Sequence, residues 1–190
     1  MSKTDEYGTS EAEASIPIRE LALRCGDMHG EIMRMMPQLS KLSQDELMQR
    51  GEADLAKLRD RERLTNTEMG QLLDVLRVIG TDAPPRERSD QVDNILRQIK
   101  TSTGSPYALA IATIAADSSR SLAERIEETG PGDVAFDASP IAVVAADVVG
   151  GIAGVFIGDE LCGPPCAVLG GATGALGLSV LAQVVLRARE

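Results

Sequence analysis

Few residues in this chain carry side chains suited to chemistry, and they fall into three groups. Cys162 and Cys166 flank Gly163-Pro164-Pro165. That spacing admits reduced thiols in an apolar turn, or a disulfide across the turn if the loop reaches an oxidising compartment. A redox pair would need two intervening residues and a βαβ setting, and both are missing. Cys25 and the sole histidine, His29, are spaced i, i+4 and share a helix face. With the other two cysteines they nominally make a Cys3His zinc set. Nothing in the sequence brings the two ends of the chain together, and no orienting group or oxyanion donor makes Cys25 and His29 a catalytic dyad. The third group is Asp147 and Gln183, polar residues set in otherwise apolar stretches. No phosphate-binding glycine loop, nucleophile elbow or HExxH helix is present. The expectation is a protein that is not an enzyme and holds no cofactor and no metal.

The elements that position Asp147 and Gln183 dominate the chain. From Pro140 to Leu186 there is no Lys or Arg, and the carboxylates are Asp147, Asp159 and Glu160. Cys166 to Leu186 is 21 residues without a charge. As a helix that stretch is about 31 Å long, close to the roughly 30 Å hydrocarbon core of a bilayer. The stretch before it, Pro140 to Ile157, is slightly shorter. A polar break, Gly158 to Pro165, separates them, and the pair reads as a helical hairpin that enters a membrane. Gly150, Gly154 and Gly158 make a ridge of step four; Gly170, Gly174 and Gly177 make another, with Gly171, Ala175 and Ser179 beside it. Glycine costs up to about 1 kcal/mol in a helix interior. Rows of it predict close helix-to-helix approach, the way apolar helices associate in lipid.

Asp147 lies three residues before Gly150, so it is expected to face a partner helix rather than lipid. A charged Asp at mid-bilayer costs about 2.5–3.5 kcal/mol. If the hairpin folds about Pro165, Asp147 and Gln183 fall opposite one another and form an intramembrane polar pair. A sharper version has Asp147 lining an ion path in an oligomer.

The rest of the chain is amphipathic. Residues 1–15 are polar and acidic, with no apolar core for an export signal, and are expected to be disordered. Ile18, Leu21, Cys25, Met28, Ile32 and Met35 form the first helical stripe, ended by Pro37. Ser43 to Glu46 is a capping box opening a second helix to about Leu64, whose Arg59-Asp-Arg-Glu-Arg63 run reads as a solvated face. Thr65 to Glu68 caps a third helix ending in a left-handed Gly80. Thr81 to Arg88 reads as a linker, Ser89 as the cap of a short fourth helix, and Ser105-Pro106 as the start of a fifth that runs to about Glu128.

The expected fold class is all-α: an amphipathic bundle of about five helices over residues 16–128, a linker at 129–139 and a C-terminal glycine-zipper helical hairpin at 140–190. The net charge of −10 and pI near 4.7 argue against a nucleic-acid partner, which needs a basic surface, and none is expected. The aromatic belt of a membrane interface is reduced to Phe136 and Phe156. The expected function is membrane association, with the hairpin anchoring and oligomerising the protein and the N-terminal helices binding a protein partner. The hairpin resembles glycine-zipper pore formers and small bacterial toxins, which implies a membrane-permeabilising or bacteriocin-like alternative. A soluble all-α interaction protein is the second alternative. Arg187 and Arg189 follow the second apolar stretch and the turn holds only acids, so both termini are expected in the cytoplasm.

Overall fold

A computed structural model describes residues 42–102, 105–129 and 140–187, together with Ile32 and Leu39; for residues 140, 141 and 178–187 it describes the backbone alone. Among the described residues the chain is all-α, with six helices and no strand. They are α1 (Gln44–Asp60), α2 (Asn66–Ile79), α3 (Pro85–Thr101), α4 (Pro106–Thr129), α5 (Pro140–Cys162) and α6 (Pro164–Arg187).

Local sequence explains most of the starts. Ser43 and Thr65 close reciprocal capping boxes with Glu46 and Glu68, so orphan N–H groups at both N-termini find acceptors. Ser105 accepts from the Ala108 N–H at 3.2 Å, and Pro106 occupies the first turn of α4. Two expectations are corrected. The fourth amphipathic helix, α3, begins at Pro85 rather than after Ser89, because proline fits the first helical position and loses no hydrogen bond there. Ser89 therefore lies inside the helix and is buried, beside the buried Arg88, which donates to the carbonyls of Thr81 and Ala83. Gly80 is right-handed, with φ −74°, not left-handed. Thr81 continues the turn by donating its N–H and hydroxyl to Val78 O.

One core runs through all six helices. Leu55 and Leu58 of α1, Leu72 and Ile79 of α2, Val92 and Ile99 of α3, and Ile111 of α4 are buried with Val148, Val149 and Ile152 of α5. Ile32 of the first stripe and Leu39 join the same core; the other stripe residues lie outside the described residues. The core is continuous across residue 140. α5 is its hub, touching α1, α2, α4 and α6. A helix that is apolar on every side must be buried or lie in lipid. Here 72% of the α5 window that is long and apolar enough to cross a membrane, Ala142–Cys162 with mean hydropathy 1.7, is covered by protein.

The α5–α6 contact is the most extensive in the fold. It turns on Gly163, whose φ of +73° is the left-handed conformation that glycine adopts without strain. The chain therefore reverses at Gly163 rather than Pro165, and both prolines fall in the first turn of α6. A Cβ added at Gly154 would land on the carbonyl of Gly170, one at Gly158 on that of Cys166, and one at Gly174 on that of Gly150. These pairs hold one antiparallel register in which the two backbones touch.

Glu68 ties two parts of the bundle. Its carboxylate accepts from the Thr65 N–H at 2.8 Å, the Thr65 hydroxyl at 2.9 Å and the N–H of Ser105 just before α4. Burial alone would raise its pKa, but the Ser105 and Thr65 hydrogen bonds outweigh it and hold the carboxyl below its ordinary 4.5. A depressed folded-state pKa gives stability that is present above the unfolded value and lost as pH falls through the folded one. Glu68→Gln is therefore expected to destabilise the protein by about 1 kcal/mol or more near neutrality. The gap to wild type should narrow in denaturant melts repeated below about pH 4.5.

The glycines give a prediction of opposite signs. Gly70 in α2 has open space where a Cβ would go, so Gly70→Ala should stabilise by up to about 1 kcal/mol, raising Tm by about 2–4 °C. Gly154→Ala gains the same helix propensity but drives a methyl into Gly170, so it should lower Tm in the same scan.

Candidate functional site

Apart from Asp147, the described chemistry-bearing residues lie at the tip of the α5–α6 hairpin. α5 ends Gly158-Asp159-Glu160-Leu161-Cys162, and the N–H of Gly163 bonds back to Asp159 O at 3.0 Å. Cys162 and Cys166 lie either side of that reversal with Cα atoms 5.6 Å apart, within the span a disulfide needs, and their sulfurs are bonded across the turn.

Asp159 is the most enclosed polar group at the tip. Its side chain is 3% exposed, in apolar surroundings where an unpaired carboxylate would be costly. It accepts from the Tyr107 hydroxyl of α4 at 2.6 Å and from Arg63 Nε at 3.1 Å. Hydrogen bonding to Asp159, and then its charge, raises the Arg63 guanidinium above its ordinary pKa. Arg63 also lies 5.9 Å from the centre of the Tyr107 ring. Next along the chain, Glu160 accepts from Arg61 at 2.7 Å. Arg61 stacks over Phe156 of α5 at 4.3 Å, and Lys57 approaches the same ring at 5.4 Å. The aromatic expected to mark a membrane boundary is thus covered by two cations from α1 and the loop after it.

The two arginines are aimed by the way α1 ends. Arg63 N–H bonds to Leu58 O and Glu62 N–H to Arg59 O, the paired bonds of a Schellman stop. Such a stop needs a left-handed residue, and Glu62 occupies it with φ 60°. Arg61 and Arg63 leave the backbone on either side of it. The arginine-rich run expected to be a solvated face therefore supplies two of the three partners of the hairpin tip. The signal in the sequence was a charged run at a helix end lacking the usual stop glycine.

Asp147 lies elsewhere. It accepts from the Ser118 hydroxyl of α4 at 2.8 Å. The side chain of Gln183 is outside the described residues, as are Cys25, His29 and Phe136. The register set at Gly154 and Gly170 places Asp147 level with Gly177, six residues from Gln183, or about 9 Å along the helix. Gly150, Gly154, Gly158, Gly170 and Gly174 are buried, with Gly177 partly so. No group of three His, Cys, Asp or Glu residues placed to hold a metal ion is found among the described residues.

Around the tip the hairpin has a second feature. The inner side of α6, with Cys166, Ala167, Gly170, Gly171, Gly174 and Ala175, is buried. Its outer side leaves Val168 at 44%, Leu169 at 47% and Leu176 at 71% exposed. An apolar groove of about 450 Å³ runs beside it, lined by Pro106, Leu109, Ala110, Thr113 and Ile114 of α4 with Val168 and Ala172 of α6. Polar anchors for a small-molecule ligand are nearly absent from that lining, so its chemistry is that of an apolar surface.

The Schellman stop yields a test of the tip geometry. A non-glycine residue in the left-handed region costs roughly 1–2 kcal/mol, part of which glycine returns as chain entropy. Glu62→Gly is expected to stabilise the fold by about 0.5–1 kcal/mol in a urea melt, with m unchanged.

Against known proteins the chain stands apart: no family model matches it, and neither does any curated protein or solved structure.

Proposed function

We propose that this protein is a membrane-associating helical bundle in which the α5–α6 hairpin is the membrane-seeking element. The observation that carries the reading is the pairing of two surfaces. α5 meets the length and hydropathy of a span while being stored inside the bundle, and α6 turns an uncharged apolar side outward. Val168, Leu169 and Leu176 form the surface that meets lipid first, since exposed apolar area next to an apolar groove is where a membrane or partner is taken up. The glycine rows then act as a zipper that keeps the two helices together in hydrocarbon and offers a face for further copies of the chain. The N-terminal helices remain on the entry side as the protein-binding part. Dye release from vesicles separates the permeabilising version of this function from simple anchoring.

A soluble interaction protein is the second reading, and the observation in its favour is the shelter of α5 by α1, α2 and α4. One measurement divides the two. The full-length chain, purified without detergent, is mixed with phosphatidylcholine vesicles and floated on a density gradient. The membrane reading expects a co-floating fraction that falls roughly tenfold in Leu176→Asp, because a carboxylate on the lipid-facing side opposes insertion. Wild-type protein that stays wholly at the bottom as a compact particle, before and after loosening in mild urea, means the soluble reading is right.

A further inference from the structure

We propose that Arg61, Arg63 and Tyr107 form an autoinhibitory clasp on the hairpin tip, and that its opening is the step that commits α5 and α6 to a lipid bilayer. This rests on the membrane reading above. The clasp is built from outside the hairpin: two arginines from the loop between α1 and α2, and one tyrosine from the start of α4. It engages Asp159 and Glu160, two of the three carboxylates between residues 140 and 186. Asp159 is buried only because Tyr107 and Arg63 satisfy it, and Glu160 meets Arg61 at the rim. Arg61 and Lys57 additionally cover Phe156, one turn back from the tip, on the side of α5 that a bilayer would have to accept.

The geometry makes the clasped and inserted states exclusive. In the folded chain the tip lies against the bundle, so Asp159 and Glu160 are on the same side as Arg61 and Arg63. A hairpin spanning a bilayer carries its tip to the far side, with a hydrocarbon core about 30 Å thick between those partners. No side chain reaches that distance. Every one of these contacts must break before the tip can cross, whereas the α5–α6 contacts need not change. The clasp is thus the charged tie between two bodies otherwise joined by apolar packing and the Ser118–Asp147 hydrogen bond.

The test uses the full-length protein, phosphatidylcholine vesicles, and hydrogen exchange at residues 158–163 measured without lipid. Arg63→Glu places a like charge on Asp159. Arg61→Glu and Glu160→Arg each turn the outer pair repulsive, and the two together restore it with reversed sign. Arg61 and Glu160 are both more than 40% exposed, so these variants keep the core intact. Leu58→Ala, a core truncation in α1, is the control for general loss of stability. Expected is a roughly tenfold rise in both tip exchange and vesicle-bound fraction for Arg63→Glu, a smaller rise for Arg61→Glu and Glu160→Arg, whose pair is exposed, and a return to wild-type values in the double swap. The clasp is overturned if the single reversals exchange no faster at the tip than Leu58→Ala, or if the swap restores nothing. Faster tip exchange with no vesicle binding in any variant keeps the clasp as a structural latch and removes the membrane role assigned to it.

Discussion

Contact between the α5 and α6 backbones is the constraint on which the remaining structure depends. Where Gly154 meets Gly170 and Gly158 meets Cys166 there is no room for a side chain on one partner. α5 therefore gives up one side entirely to α6, and its apolar residues must be sheltered elsewhere. Val148, Val149 and Ile152 are sheltered by the bundle, and Gly51 of α1 repeats the device on a smaller scale, since a Cβ there would come within 3.2 Å of Val149 Cγ2. The core of α1, α2 and α4 is organised to receive this hub, with α3 packed behind α2 and α4. Amphipathic helices are needed for that purpose: their apolar stripes cover α5 and their polar sides keep the assembly wet.

Such a contact has an unusual relation to its solvent. Close backbone packing is dispersion and shape, and works between helices in lipid as in water. The contacts of α5 with α1, α2 and α4 are different, because their driving force is the removal of apolar surface from water. Next to hydrocarbon that force disappears. On the proposed transfer to lipid the hairpin would therefore loosen from the bundle without loosening itself. What survives between the two bodies is polar: the bonds from Tyr107, Arg63 and Arg61 to the tip, and that from Ser118 to Asp147.

The parts of this architecture legible in the sequence are the local ones. Ser43 and Thr65 with their Glu partners, the Ser105-Pro106 start and the apolar stripe through Leu72, Leu76 and Ile79 each act within one or two turns of their own helix. Pro85 sits in a stretch that reads as a linker because two prolines in a row look like a break, although the second fits a helix start. The expected fold about Pro165 gives way to a reversal at Gly163, because only glycine takes a positive φ freely. The tip cluster was illegible for a stronger reason. Asp159 finds Tyr107 from 52 residues away and Arg63 from 96, and no periodicity encodes a meeting set by the docking of whole helices. A span-length rule likewise measures length and hydropathy, which a bilayer and a protein core select alike.

Charge placement adds the last constraint. The chain carries −10, yet the acids within the apolar third are few, and two of them are held at the turn by arginines. A carboxylate at a hairpin tip opposes passage through hydrocarbon, and one bound to a guanidinium drags a second charge with it. The exposed Arg61–Glu160 pair adds little, and a tip built for a purely soluble core could replace the pair at buried Asp159 by packed neutral groups, a change often neutral or favourable for stability. Breaking such a pair on one side alone is strongly unfavourable. An ion pair in this place is therefore poor as a general stabiliser and effective as a tie that holds fully or fails, which is the property required of a contact deciding whether the hairpin stays with the bundle.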